Sequence, residues 1–187
     1  MTITTILLVA LGVLALWLML TYNGLITLRN RVKEAWSDID VQLKRRHDLI
    51  PNLIESVKGY MSHEKTILEN VTKYRAQAMD AQKSGNTSAL AQAEGMLGTA
   101  LNGLRVAVEA YPDLKANTNV AQLMDELSDT ENKLMSSRRF YNGQTRDFNT
   151  KLEVFPTNLV GNMLKFTKFD FFEITDASER ENVKVQF

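Results

Sequence analysis

The run Ile6–Leu20, ILLVALGVLALWLML, constrains this chain more than any other stretch: it is apolar throughout, and no charged residue occurs before Arg29. A helix rises about 1.5 Å per residue, so about 20 mostly apolar residues cross the hydrocarbon core of a bilayer. The window from Ile3 to Tyr22 supplies them. Ten residues of the run are Leu, Ile or Val. At roughly 0.3–0.6 kcal/mol each, they favour insertion by about 5 kcal/mol together. Ile6, Leu7, Leu8, Leu11, Leu14, Leu16, Leu18 and Leu20 are therefore expected to contact lipid. Trp17 and Tyr22 lie towards the far end, where amphipathic rings favour the interface, although Trp17 also suits an ordinary lipid-facing position.

A cleaved secretory signal needs a basic leading segment and a small-residue cleavage site. Met1–Thr5 holds no Lys or Arg, and Leu18-Met19-Leu20 offers no Ala-x-Ala pattern, so the run reads as an uncleaved anchor. Basic residues follow the span as Arg29, Arg31 and Lys33, then Lys44, Arg45 and Arg46. The positive-inside rule then predicts an N-terminus outside and a cytoplasmic helical domain.

About 165 residues remain after the anchor, enough for one domain with its own core. Lys plus Arg and Asp plus Glu both number 22, so no overall field draws the protein to nucleic acid. The absence of Cys excludes disulfides, thiolate metal sites and a Cys nucleophile.

Pro51, Pro112 and Pro156 fall where the apolar periodicity breaks, and helices usually start or stop at such residues. A first helix is expected to continue from the membrane through Leu25, Leu28, Val32, Trp36, Ile39 and Leu43, ending near Arg46. Asp48 would cap a second helix, with Pro51 in its first turn, running to about Lys83. Thr87 or Ser88 would cap a third, with Leu90, Leu97, Leu101, Leu104 and Val108 on one stripe. Beside that stripe, Ala91, Gly95, Thr99, Gly103 and Ala107 form a small-residue ridge suited to close approach of a neighbour, or simply a looser helix.

The longest soluble helix, roughly Val120–Glu153, carries a seven-residue repeat of Val120, Leu127, Leu134, Tyr141, Phe148 and Phe155, the spacing of coiled-coil-like packing. A companion seam of Met124, Glu131, Arg138, Thr145 and Leu152 is polar in the middle. It suggests a buried ionic layer of Glu64, Arg75, Glu131 and Arg138, for which structural pairing is the default role. Beyond Pro156, Phe166, Phe169, Phe171 and Phe172 either cap the helices or form an assembly or partner surface. Val183, Val185 and Phe187 alternate with polar residues like a strand that would add to a neighbouring subunit.

No reactive constellation emerges. His47 and His63 lack the Glu-x-x-His spacing of helical metal sites, and the glycines near Gly95 do not form a phosphate-cradling loop. No Ser lies in a nucleophile elbow. Lys44-Arg45-Arg46-His47 reads as a basic patch at a helix end that complements the helix dipole or stays solvated, or else contacts anionic lipid.

The segment AWSDIDVQLKRRHDLIPNLIESVKGYMSHE, Ala35–Glu64, resembles the signature of the LemA family. So do AYPDLKAN, Ala110–Asn117, and TENKLMSSRRFYN, Thr130–Asn142, along with Phe155-Pro156, Tyr22-Asn23 and the terminal Val185 and Phe187. The resemblance implies an N-terminal membrane helix before an antiparallel bundle of long helices, at the bacterial cytoplasmic membrane with the N-terminus outside. It brings no reaction, cofactor or catalytic residue; family members are often encoded near membrane proteases.

The expected fold is thus all-α: a transmembrane anchor at 1–24, four long antiparallel helices at 25–155, and an aromatic-rich extension with a strand-like tail at 156–187. The expected function is a non-enzymatic, self-associating scaffold at the inner membrane, without cofactor or metal. Its partners would be lipid and further copies of itself; the alternative is a monomeric adaptor of a membrane protease or another integral membrane protein.

Overall fold

The computed structural model of the chain describes residues 2–61 and 63–173, and within them the protein is helical, without strands. In order the helices are α1 (Ile3–Lys58), α2 (Lys65–Ser84), α3 (Thr87–Glu109), α4 (Pro112–Lys115), α5 (Thr118–Glu153) and α6 (Thr157–Met163). Among the described residues, α1 is the one helix long and apolar enough to cross a membrane, and none of its apolar window is buried within the protein. Ile6, Leu7, Leu8, Leu11, Leu14, Leu16 and Leu20 are exposed, and Trp17 and Leu18 partly so.

The first boundary differs from expectation. The first helix does not end near Arg46, and Asp48 caps nothing: α1 runs unbroken through Pro51 for 56 residues. A proline inside a helix costs about 3 kcal/mol and removes one hydrogen bond. Around it, however, Ile50, Leu53 and Val57 are almost wholly buried, and each such side chain contributes roughly 1.5–3 kcal/mol by leaving water. Burial wins. The carbonyl that Pro51 leaves without an amide donor is that of His47, and the Arg75 Nε–H donates to it at 2.8 Å. An arginine from α2 thus replaces the missing backbone donor, and the second helix begins only at Lys65.

The next boundaries follow local chemistry. Gly85 ends α2 with φ 69°, the left-handed conformation in which glycine has no Cβ penalty. Asn86, rather than Thr87 or Ser88, caps α3 by accepting from the Ala89 amide at 3.0 Å. Pro112 opens the single turn α4, and the Asn117 side chain accepts from the amides of Asn119 and Val120 at the start of α5.

Packing divides the chain into two units. The anchor unit comprises the chain up to Ile39 together with Ser137–Asp170. In it the rings of Trp36 and Tyr141 meet edge to face at 5.1 Å, and Phe148, fully buried, meets Phe169 at 5.4 Å and Phe166 at 6.3 Å. Because Tyr141 meets Trp36 while Phe148 and Ile26 line one pocket, α5 runs back towards the apolar N-terminal stretch of α1. Asn149 clamps the backbone of Phe169, donating to its carbonyl at 2.9 Å and accepting from its amide at 3.0 Å. The Tyr141 hydroxyl donates to the Asp170 carbonyl at 2.8 Å, and burial raises this phenol above its ordinary value.

The core unit comprises Asp40–Ser136 and the described residues after Asp170. Its interior joins Ile50, Leu53 and Val57 of α1, Val71 and Ala78 of α2, Leu97, Leu101, Leu104 and Val108 of α3, Leu114 of α4, and Val120 and Leu127 of α5. The apolar stripe of α3 is inward, as its spacing requires. The small-residue ridge is not a close contact along its length: Gly103 is exposed, and a Cβ added there would meet nothing within 4 Å. Thr99 and Gly103 instead help line an open groove against α2. The seven-residue repeat of α5 is buried from Val120 to Phe148, but Phe155, beyond the helix end, is 78% exposed.

Candidate functional site

Two apolar stripes of the core unit are each interrupted by one inward-facing charge. On α1 the inward positions around Pro51 are Leu43, Arg46, Ile50, Leu53 and Val57; on α3 they include Leu90, Glu94, Leu97 and Leu101. Spacing of three and four carries Arg46 and Glu94 into the interior with their apolar neighbours. There Arg46 Nη1 donates to Glu94 Oε2 at 2.6 Å, and His47 Nε2 lies 2.8 Å from Glu94 Oε1. An ionised carboxylate only accepts, so this histidine nitrogen carries the proton. Arg46 Nη2 donates to Glu131 Oε1 of α5 at 3.0 Å.

The Glu94 side chain is wholly enclosed, and those of Arg46 and His47 are nearly so, whereas that of Glu131 is 39% exposed. Both oxygens of Glu94 are held. Buried charges matched in this way fix α1, α3 and α5 in one register, since a shift of either partner strands a charge in the interior. Gly98 lies alongside, where a Cβ would meet Arg46 Nη2 at 3.4 Å. Among the described residues, no group of three or more His, Cys, Asp or Glu is placed to hold a metal ion.

Of the four charges singled out from the sequence, Glu131, Glu64 and Arg75 go to separate partners. Glu131 pairs with Arg46, Glu64 accepts from the Tyr111 hydroxyl at 3.2 Å, and Arg75 bonds the His47 carbonyl. Burial, and then the Glu64 carboxylate, hold the Tyr111 phenol above its usual range. The run Lys44–His47 is not a solvated basic patch. Lys44 pairs with Asp48 at 2.7 Å, Arg45 with Glu126 and Asp129, and Arg46 and His47 are buried. The signal for the true cluster was the register: Arg46 and Glu94 occupy positions that their helices otherwise give to apolar residues.

The aromatic residues also separate. Phe166 and Phe169 pack on Phe148, Phe172 is buried, and Phe171 is 42% exposed. Val183, Val185 and Phe187 lie outside the described residues. Other apolar side chains stand open: Phe155, in the turn between α5 and α6, is 78% exposed, and Leu159 and Met163 of α6 are 59% and 68% exposed, while Thr157, Val160 and Gly161 face inward. Pro156 stands between α5 and α6, as its place in the sequence suggests.

A sequence model of the LemA family matches residues 35–187. Protein LemA of Metamycoplasma hominis is 31% identical over 165 residues, covering 87% of this chain and 72% of that protein. Magnetosome protein MamQ of Magnetospirillum gryphiswaldense is 23% identical, and magnetosome protein MamQ 2 of Paramagnetospirillum magneticum 22% identical; each alignment covers 87% of this chain and 68% of the relative. With the family model spanning most of the chain and a relative at this identity along most of its length, the chain belongs to the LemA family.

Proposed function

We propose that this chain is a single-pass protein of the bacterial inner membrane, with its N-terminus outside and its helical part in the cytoplasm, and that it works as a non-enzymatic, self-associating scaffold. The observation that carries this reading is the exposed apolar set of Phe155, Leu159 and Met163. It lies where α5 has returned towards the span, so copies anchored in one membrane present it at the same height and meet it by lateral diffusion. Covering three large apolar side chains contributes roughly 1.5–3 kcal/mol each when burial is complete. Kinship with proteins named for the magnetosome supports a membrane setting.

Crosslinking in native membranes tests the reading. The wild-type chain should give a ladder of homo-oligomers, and Phe155→Ser/Leu159→Ser/Met163→Ser should collapse it to monomer without releasing the protein from the membrane. A monomer in both cases would contradict self-association.

One observation favours a second reading, a monomeric adaptor that docks a membrane protease or another integral protein. The groove between α2 and α3, about 380 Å³, is lined by Ile67, Tyr74, Met96, Thr99, Ala100 and Gly103. A single heterologous crosslink, abolished by Gly103→Phe and untouched by the triple-serine variant, would select it.

A further inference from the structure

A cationic concavity of about 450 Å³ lies in the anchor unit, just past the end of the membrane span. Tyr22, Ile26, Arg29 and Lys33 contribute one face of α1, and Lys165 and Phe166, just after α6, stand opposite. Positions four apart on a helix are neighbours, so Arg29 and Lys33 repel each other unless an anion sits between them. Among the described residues, neither they nor Lys165 has a carboxylate partner. Elsewhere the charges are matched: Lys44, Arg45, Arg46 and Lys168 all pair with acids.

Lys165 adds an independent observation. It is the one non-glycine residue with positive φ among the described residues, at 55°. Its amide bonds the Asn162 carbonyl and the next amide bonds that of Gly161, the closure of a helix end at which glycine is the usual residue. A lysine here is strained, and strain persists where the side chain is needed.

From this geometry we propose that the concavity binds the phosphate of an anionic phospholipid, with Arg29, Lys33 and Lys165 taking the charge and Ile26, Tyr22 and Phe166 receiving the glycerol and upper acyl region. The source is the membrane itself. Arg29 follows Tyr22 by seven residues, about 10 Å along the axis, and helix side chains lean back towards the N-terminus, here towards the bilayer. The inference rests on the membrane anchoring of the proposed function, not on self-association.

The test uses the full chain in nanodiscs of pure phosphatidylcholine and of phosphatidylcholine with one-fifth phosphatidylglycerol, and native mass spectrometry counts the lipids retained. The wild type should retain phosphatidylglycerol selectively. At about fivefold per basic residue, Arg29→Gln/Lys33→Gln/Lys165→Gln should lower that selectivity roughly a hundredfold. Lys165→Gly should lower it about fivefold while leaving the protein at least as heat-stable, because glycine relieves the strain.

Arg31→Gln, two residues from Arg29 and Lys33 and so on the opposite side of α1, and exposed, should change selectivity little. An equal loss from Arg31→Gln would mean diffuse surface charge and would overturn the pocket. Saturable protection by inorganic phosphate alone, with no preference for phosphatidylglycerol, would overturn a lipid source. Failure of the wild type to enter either nanodisc would count against the anchor, whereas entry into both without selectivity would sink the pocket alone.

Discussion

The continuity of α1 through Pro51 depends on Arg75, and a double-mutant cycle isolates that dependence. Arg75→Ala leaves the His47 carbonyl without its donor at 2.8 Å. An orphaned buried acceptor costs about 1–3 kcal/mol. In a Pro51→Ala background, residue 51 regains an amide that points at the same carbonyl, so Arg75→Ala should then cost only its lost side-chain packing. Packing losses are common to both backgrounds and cancel. The coupling between the two positions should therefore be about 1–3 kcal/mol. The assay is urea unfolding of the full chain in mild detergent, followed by helical ellipticity. With slopes of about 1–3 kcal/mol per molar urea, Arg75→Ala should move the midpoint by roughly 0.5–2 M in the wild-type background and clearly less beside Pro51→Ala. Equal shifts in the two backgrounds would refute the idea that the guanidinium replaces a backbone donor.

Three further outcomes follow. Glu94→Ala takes the buried partner from Arg46 and His47, leaving Arg46 only the half-exposed Glu131, and should cost about 3–5 kcal/mol, whereas Arg46→Met/Glu94→Met should recover most of that stability, as both unfolding midpoints would report. Gly103→Ala should stabilise the chain by roughly 0.5–1 kcal/mol, since it improves helix propensity where the added methyl meets nothing; a lower midpoint would show that the groove closes in solution. Hydrogen bonding to Lys133 holds Asp129 below its ordinary value of 3.8. A depressed carboxyl stabilises the fold above that value and loses the contribution as pH falls through its folded-state value. Lys133→Gln should therefore move the Asp129 titration, read by carboxyl NMR, back towards 3.8 and soften the acid limb of stability.

The sequence was most informative where hydrophobic demand and local rules agreed. The long apolar N-terminal helix, the inward stripe of α3 and the long α5 are legible because apolar spacing, length and caps coincide there. Pro51 was misread because the proline rule is local, while the decision is made by Ile50, Leu53 and Val57 in the core and by Arg75 from another helix. The same boundary hid Arg46: once α1 is cut at that point, the residue stands at a helix end, where a basic group is expected to be solvated. Glu94 gives no signal in the sequence because a single charge in an apolar stripe carries no motif of its own. The partners chosen for Glu64, Arg75 and Glu131 could not be read from one seam, because each is decided by the depth at which neighbouring helices meet. Lys165 is invisible in sequence as anything but a surface lysine; only its positive φ and its facing cations give it meaning.

The most direct test of the account is the mass of the full-length protein in mild detergent, measured by light scattering beside a version beginning at Tyr22 and beside Phe155→Ser/Leu159→Ser/Met163→Ser. The account expects a uniform multimer for the full chain, and a monomer once the exposed apolar set is polar. Monomers for all three would contradict the scaffold, leaving an anchored docking module.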